Sequence, residues 1–360
     1  MDDMNPPNDD KLKNFLDYVC YEYGSDWILM VPSSIGEVAA ICSFAREFKK
    51  IHGQRLRLVV HRNHASVARL FSADIDSITE ASTVLMRRLI DDGVIDRFGF
   101  KPGMPICMWA NQAADGRVIE LHRLYNAQPG RGGLSFMDMC RLIMRLPWDA
   151  PYSLGVIGSD LKVEAQLFCE RNGIERGNSV IFFPGNNTNL PAPAHLWLTL
   201  ENSFREAGVN VFQCLTGANI FPPQLRLSAT MLEMNPALAV AVCKYAGRVI
   251  VGSNGLAFLS LLVSGDCRYD VLLTEFAIAD SGNTIRRLSL LENSARFGVP
   301  EIVRDVNNFR EWKVKQDLDS NGIENLAQAI VSGKLHSDQV TYEDVERFVF
   351  DDYRARFAPK

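Results

Sequence analysis

The sequence predicts an α/β fold made of two domains in tandem. Short apolar runs bounded by turn residues alternate with segments of helical periodicity, a pattern typical of βαβ units around a mostly parallel sheet. The pattern occurs in the first half of the chain and restarts after the middle. The length of 360 residues also exceeds that of one typical domain, which favours two.

Composition narrows the class of protein. Hydrophobic residues make up 47% of the chain and charged residues 22%, as in an ordinary globular protein. A net charge of -5 carries no basic excess, which argues against a nucleic-acid-binding protein. The eight cysteines form no C-x-x-C pair and mostly lie in apolar runs, which predicts reduced core thiols in a cytoplasmic protein.

Neither a signal peptide nor a membrane span is expected from this sequence. The first residues are acidic and contain proline, without the basic start and apolar core of a signal peptide. No apolar run approaches the roughly 20 residues that a membrane-spanning helix needs. Residues 1–12 are predicted to be a disordered tail.

The first domain is predicted over residues 13–173. Its elements are, in order, a strand over 27–31, a helix over 37–50, a strand over 55–60, a helix over 65–71 and a later helix that ends at Asn172 and Gly173. The polar link that follows this last helix places the domain boundary between 173 and 174.

The second domain is predicted over residues 174–340. Strands are expected over 178–183, 209–215, 248–251 and 269–273, with helices over about 195–207, 236–245 and 256–263. Residues 341–360 form a separate C-terminal segment, helical over 342–356. A terminal helix of this kind often packs back across a domain interface.

The turns after the strands are the candidate sites, because ligands of open parallel sheets bind beyond the carboxyl ends of the strands. The first such turn is 32–37, where Gly36 permits a tight entry into the helix. Glu37 then lies in the first helical turn. Its carboxylate suits a general base, or it complements the positive end of the helix dipole.

A Gly-rich turn at 252–256 joins another strand to a helix. Backbone N–H groups around Ser253, Asn254, Gly255 and Leu256 would hold a phosphate or diphosphate, helped by the helix dipole. The alternative is a plain βα turn with a helix N-cap. The turn is neither G-x-G-x-x-G nor followed by a Walker lysine, which disfavours a dinucleotide site or a P-loop.

Two further loops are rich in polar groups. Gly185, Asn186, Asn187 and Thr188 follow a buried strand and would line a polar ligand such as a sugar or nucleotide diphosphate, or they form a hydrogen-bonded surface turn. The loop containing His122, Arg123 and Arg131 suits an anionic or carbohydrate acceptor, or is simply solvated. The histidines at 61, 64, 122 and 195 show no metal-ligand spacing, so no metal is assigned.

Three of these segments, in this order, resemble motifs of glycosyltransferase family nine, the heptosyltransferase-like group. Residues 33–38 resemble the Ser-rich first turn that opens the first helix of that family. Residues 180–185 resemble the strand and Pro-Gly turn at the start of its second domain. Residues 251–258 resemble its donor-binding segment. The resemblance extends over most of residues 25 to 280.

This resemblance implies the GT-B fold, in which two Rossmann-like domains face each other across a cleft. It also implies an inverting sugar transfer from a nucleotide-diphosphate sugar to a carbohydrate or glycolipid acceptor in surface polysaccharide or lipopolysaccharide assembly. Neither metal nor cofactor would be required. A glycolipid acceptor would bring the protein to the periphery of a membrane.

Residue roles follow from the resemblance. Glu37 would be the catalytic base. The donor-binding residues would be Gly185, Asn186, Asn187, Thr188, Gly217, Ser253, Asn254, Gly255 and Leu256. The acceptor-binding residues would be Ser34, Gly36, His61, Arg62, His64, His122, Arg123 and Arg131.

The chain departs from the family pattern at several of these positions. Glu37 stands where the family usually has Asp, Ser253 stands where the donor segment usually has Asp, and Phe258 where it has His. Residues 186–190, directly after the Pro-Gly turn, contain no Lys or Arg. These losses motivate an alternative function, a non-catalytic GT-B-fold protein that binds a sugar or nucleotide or acts as a scaffold. A third possibility is a GT-B epimerase that acts on a nucleotide sugar. It is less favoured, because the sequence shows no cluster of acidic residues that would support it.

Overall fold

The structure is a computed structural model, and it confirms an α/β protein with parallel sheets. Its contacts divide the chain into two compact units, with the described residues up to Gly155 in the first and those from Val156 in the second. It describes residues 28–31, 35–82, 105–107, 135–185, 191–214, 225–252, 254–274, 276–279, 285–288, 302, 308–334 and 336–339.

The first unit contains a four-stranded parallel sheet in the order β3-β2-β1-β4. Its strands are β1 (Ile28–Val31), β2 (Leu56–His61), β3 (Ile75–Ala81) and β4 (Pro105–Cys107). Its helices are α1 (Ile35–Ser43), α2 (Ala45–His52), α3 (Ala65–Arg69) and α4 (Phe136–Ile143), with 3-10 turns at Arg62–His64 and Ser72–Asp74. The two strands predicted in this half and the helix predicted over 65–71 are confirmed, whereas β3, β4 and α4 were not predicted.

The helix predicted over 37–50 is two helices, so that prediction was wrong in its continuity. Phe44 separates α1 from α2 and is fully buried. The Ser43 hydroxyl donates to the Ala40 carbonyl over 2.7 Å, and the Phe44 N–H donates to the carbonyl of Ile41, three residues back. Such local bonds replace the regular helical ladder, and they let Phe44 pack into the core.

The second unit contains a six-stranded parallel sheet in the order β12-β9-β8-β5-β6-β7. Its strands are β5 (Ser179–Phe183), β6 (Asn210–Cys214), β7 (Thr230–Leu232), β8 (Arg248–Gly252), β9 (Arg268–Leu273) and β12 (Phe309–Lys313). A separate antiparallel pair is formed by β10 (Phe276–Ala279) and β11 (Ile285–Leu288). The four strands predicted in this half are confirmed as β5, β6, β8 and β9.

Five helices of the second unit lie in the described residues. They are α5 (Ser159–Asn172), α6 (Ala194–Glu206), α7 (Pro236–Ala246), α8 (Gly255–Leu261) and α9 (Ser320–Ser332). The three helices predicted after 195 are confirmed as α6, α7 and α8, whereas α9, β7 and β12 were not predicted. The helix predicted over 342–356 lies outside the described residues.

Helix α5 was predicted correctly but was assigned to the first domain. It ends at Asn172, and Gly173 closes it in the left-handed conformation with a φ of 69°. Its contacts are with the second unit, where it packs against α7, and the Gly177 N–H donates to the Ala246 carbonyl. The unit division therefore falls before α5, although the polar link of the sequence lies after it.

An aromatic core holds helix α6 on the second sheet. Trp197 and Phe204 of α6 are fully buried, and their rings lie 5.4 and 5.9 Å from the ring of Phe182 in β5. Ring pairs at these separations add to the stabilisation from burial of apolar area. The six cysteines whose side chains are described are all buried and free, as the sequence predicts. Burial raises the pKa of Cys169 and of Cys267 to about 12.

Glu201 of α6 is a buried carboxylate that anchors the segment leading into β7. It is 3% exposed and accepts hydrogen bonds from the Ser228 hydroxyl over 2.6 Å and from the Ser228 N–H over 3.1 Å. The guanidinium of Arg205 donates to the same carboxylate over 2.9 Å. The side chain thus ties α6 to the residues before the edge strand.

Replacing Glu201 with alanine is expected to lower the free energy of unfolding by about 1–3 kcal/mol. The change leaves the N–H of Ser228 without its acceptor in a partly buried place. Urea denaturation followed by circular dichroism measures the loss. Glu206→Ala, at an exposed position of the same helix, is the control and should have little effect. Equal stability of the two variants would contradict this role of Glu201.

Asp270 of β9 is a fully buried carboxylate in the second unit. The indole of Trp312 in β12 donates to it over 3.0 Å, and Arg268 and Arg248 pair with it over 3.1 and 3.3 Å. Both arginines also donate to the Ile330 carbonyl near the end of α9, over 2.9 and 2.6 Å. This network, called here the Asp270 network, joins three strands to one helix.

Candidate functional site

The carboxyl ends of β1 and β2 lie side by side in the first unit. The two strands are parallel neighbours, with Val31 opposite Val60. Helix α1 begins four residues after β1 ends, with Gly36 buried and Glu37 half-buried in its first turn. Glu37 therefore lies at the sheet edge where ligands of parallel sheets bind, as the sequence predicts.

His61 is the last residue of β2, and it is 9% exposed. Its ring Nδ1 accepts a hydrogen bond from the Asn63 N–H over 3.3 Å, which leaves the ring proton of a neutral imidazole on Nε2. The ring centre of His64 lies 5.2 Å away, and the intervening Arg62 is exposed. Three of the predicted acceptor residues thus lie at the end of β2 or just after it, at the same edge as the start of α1.

Helix α4 lies close to Glu37, in a part of the chain where no element was predicted from the sequence. Burial raises the pKa of Cys140 in α4 well above its ordinary value, and the negative charge of Glu37 raises it further. Asp138 and Arg141, both almost fully buried, form an ion pair of 3.3 Å, and the Arg141 Nε also donates to the Ala150 carbonyl. The candidate base therefore lies near a helix that carries a buried ion pair.

A sequence signal for α4 existed. The Asp138 N–H donates to the Ser135 hydroxyl, and the Ser135 N–H donates to the Asp138 carboxylate. This reciprocal pair is a capping box with Asp in place of the usual Glu, followed by an apolar run. The Ser-x-x-Asp spacing predicts a helix start at this point.

In the second unit, one side chain connects the two turns that the sequence singled out as donor-binding. Strands β5 and β8 are parallel neighbours with Phe183 opposite Val251, so the turns after them lie at one edge of the sheet. The Asn254 amide donates to the Gly185 carbonyl over 2.9 Å. Asn254 thereby joins the Pro-Gly turn to the start of helix α8.

The same side chain also caps α8. The Asn254 Oδ1 accepts hydrogen bonds from the N–H groups of Leu256 and Ala257, over 3.0 and 3.1 Å. The Leu256 N–H is one of the groups that the sequence predicts to hold a phosphate. A ligand at this turn would compete with the Asn254 carboxamide for that N–H. Helix α8 begins one residue before Leu256, at Gly255. Phe258, at the position where the family has His, is 5% exposed.

The other predicted site residues lie outside the described part of the chain. They are Ser34, His122, Arg123, Arg131, Asn186, Asn187, Thr188, Gly217 and Ser253. The residues whose place is described form two groups, one in each unit. The first group is Gly36, Glu37, His61, Arg62 and His64, and the second is Gly185, Asn254, Gly255 and Leu256.

No metal-ligand group occurs within the described residues, where no three His, Cys, Asp or Glu side chains come together as ligands of an ion would. In the same part of the chain, none of the helices combines the length and apolar character needed to cross a bilayer.

Comparison with known proteins gives matches among solved structures. The ADP-heptose lipopolysaccharide heptosyltransferase II of E. coli is 10% identical, covers 86% of this chain and 99% of its own, and has a TM-score of 0.49. A glycosyl transferase family 9 protein of Veillonella parvula is 11% identical, with coverage of 69% and 81% and a TM-score of 0.46.

A third matching structure is the E. coli heptosyltransferase WaaC with ADP-2-deoxy-2-fluoro heptose. It is 12% identical, with coverage of 68% of this chain and 88% of its own and a TM-score of 0.42. No protein-family model matches the chain, and neither does any curated protein. One of these three matching structures is thus named as a glycosyl transferase of family 9.

Proposed function

We propose that this protein is an inverting, metal-independent glycosyltransferase, and that its two units are the domains of a GT-B enzyme. It would move a sugar from a nucleotide-diphosphate sugar to a carbohydrate or glycolipid acceptor, in surface polysaccharide or lipopolysaccharide assembly. The observation that carries the proposal is the Asn254 side chain, which connects the Gly185 turn to the start of α8. Two turns that resemble the donor segments of one family are thereby in direct contact, which supports a shared donor site.

The proposed chemistry needs one base and one anion-binding turn. The Glu37 carboxylate accepts the proton of the acceptor hydroxyl while that oxygen attacks the anomeric carbon. The bond from the anomeric carbon to the diphosphate oxygen breaks, and the nucleoside diphosphate leaves with the bonding electrons. The start of α8, near Asn254 and Gly255, would stabilise the negative charge that develops on the diphosphate. His61 and Arg62 lie at the same sheet edge as the start of α1, where they would contact the acceptor.

Asn254→Asp tests donor binding. We expect it to lower the affinity for ADP, UDP or GDP, whichever binds the wild type, by at least about tenfold. The Asp carboxylate still caps α8 through its oxygens, but it faces the Gly185 carbonyl without a proton to donate and repels the diphosphate. Isothermal titration calorimetry measures the change.

A matched control exists in the same unit. Asn235 caps α7 in the same way, with its Oδ1 accepting from the Leu238 N–H over 3.0 Å, and it is not part of the candidate site. Asn235→Asp should bind the nucleotide as the wild type does. Equal affinities of Asn254→Asp and Asn235→Asp would contradict a donor site at Asn254.

The alternative is a non-catalytic protein of the same fold that binds a sugar or nucleotide or acts as a scaffold. The observation that favours it is the cap itself, because Asn254 already occupies the N–H groups of Leu256 and Ala257. Thermal unfolding with each nucleoside diphosphate separates a scaffold from a protein that binds a nucleotide. A bound ligand at 100 times its dissociation constant adds about 2.7 kcal/mol of stability, so the absence of any shift would support the scaffold function.

A further inference from the structure

A pocket of about 460 Å³ lies in the second unit between α5, α7 and the turn at 264–266. The segments that line it lead into the amino ends of strands: Arg176 precedes β5, Lys244 precedes β8 and Asp266 precedes β9. The Gly185 and Asn254 turns follow the carboxyl ends of β5 and β8 instead. Since all these strands are parallel, the pocket lies at the amino ends of the strands and the candidate donor site at the carboxyl ends of the same sheet.

The pocket is positively charged. Lys162, Arg176 and Lys244 line it, and Asp266 is its one carboxylate among the lining residues, so positive charges exceed negative ones by two. Within the part of the chain that the structure describes, Lys162 and Arg176 make no ion pair. Cations gathered in a concave site without matching carboxylates favour an anionic ligand.

Lys244 is the most enclosed of the three cations. Its ammonium donates to the Gly265 carbonyl over 2.7 Å and lies 4.9 Å from the centre of the Tyr269 ring. The Gly265 carbonyl accepts from one of the three N–H donors of the Lys244 ammonium. Burial lowers the pKa of Lys244 below its ordinary value, because the charged form loses water. A bound anion would replace the solvation that this cation has lost.

The rest of the lining gives the pocket room and polarity for more than an isolated anion. Ile157, Ala165 and Ala241 supply apolar surface, and Gln166, Tyr245 and Ser264 supply hydrogen-bonding groups. The volume falls within the roughly 300–1,000 Å³ of small-molecule sites. An apolar or hydroxylated body attached to the anionic group would therefore fit beside it.

We propose that this pocket binds a small dianionic molecule, a phosphomonoester or a dicarboxylate, with Lys162, Arg176 and Lys244 around the anionic groups. The site is distinct from the donor turns and does not depend on the glycosyltransferase function. Its ligand is held by the helices α5 and α7 and by the turn before β9.

Calorimetric titration of the full-length protein tests this site, with inorganic phosphate, glycerol 3-phosphate and malonate as probes at constant ionic strength. We expect at least one probe to bind. Lys162→Glu and Arg176→Glu should each weaken that binding by about tenfold or more, because each replaces a charged donor with a repelling carboxylate. Both positions are exposed, so both variants should fold as the wild type does. A preference between glycerol 3-phosphate and malonate identifies the anionic group.

Two further variants separate this site from other causes of binding. Lys315→Glu makes the same change of net charge at an exposed position outside the pocket, and it should bind the probe like the wild type. Asn254→Asp should also bind it normally, because the donor turns lie at the other edge of the sheet. The proposal is overturned if no probe binds, if the two pocket variants bind like the wild type, or if Asn254→Asp abolishes binding.

Discussion

Glu37→Gln is expected to lower kcat for sugar transfer by about 10²- to 10⁴-fold, the range contributed by a positioned general base. The amide has the size of the carboxylate but does not accept the proton of the acceptor hydroxyl at neutral pH. Glu37 is half-buried in the first turn of α1, so the substitution keeps its place in the helix. The large loss should therefore appear in turnover with nucleotide binding retained.

Single-turnover transfer from a radiolabelled nucleotide sugar, combined with calorimetric binding of the nucleoside diphosphate, separates these two effects. Glu37→Asp should keep part of the activity, because the carboxylate remains and only its reach is one methylene shorter. Glu47→Gln, a carboxylate substitution in helix α2 of the same unit, is the control. Unchanged turnover of Glu37→Gln would rule out Glu37 as the base. The donor site would then be tested only by the nucleotide affinity of Asn254→Asp.

Asp270→Ala is expected to destabilise the second unit by about 3–5 kcal/mol, the cost of removing one partner of a buried ion pair. Arg248 and Arg268 would lose their carboxylate, and the Trp312 indole would lose its acceptor. Burial lowers the pKa of Arg248 to about 10, which still leaves it charged at neutral pH. The two guanidinium groups, which are only partly exposed, then keep their charge without the carboxylate.

Denaturation by urea, followed by tryptophan fluorescence and circular dichroism, measures this loss. Asp317→Ala, at an exposed position between β12 and α9, is the control and should change the stability by less than about 0.5 kcal/mol. If Asp270→Ala were as stable as this control, the Asp270 network would contribute nothing to the fold. Loss of nucleotide binding without loss of stability would instead mean that Asp270 acts on the site.

Some parts of the candidate site could be predicted because they depend on neighbouring residues. Glu37 in the first turn of a helix follows from the Gly36 turn and the apolar periodicity after it. An N-cap in the 252–256 turn was one of the two interpretations of that segment, and Asn254 fills that role. Both features are set by hydrogen bonds and dipoles within a few residues, so local sequence patterns carry them.

Other parts could not be predicted because they depend on contacts between distant segments. Asn254 and Gly185 are 69 residues apart and form a hydrogen bond only because β8 pairs with β5. The strand order that makes them neighbours arises from the packing of whole elements. The break at Phe44 has a similar origin, since Phe44 is fully buried in the core of its unit.

The sequence by itself determined the α/β class, the βαβ order in each half and the placement of Glu37 and the 252–256 turn directly after strands. Apolar periodicity and turn residues act over short stretches, and they are sufficient for these features. Tertiary structure decided that Asn254 joins the Gly185 turn to the start of α8, that Asp270 lies buried beside two arginines, and that α5 belongs with the second unit. These depend on which surfaces bury one another, which a local pattern does not encode.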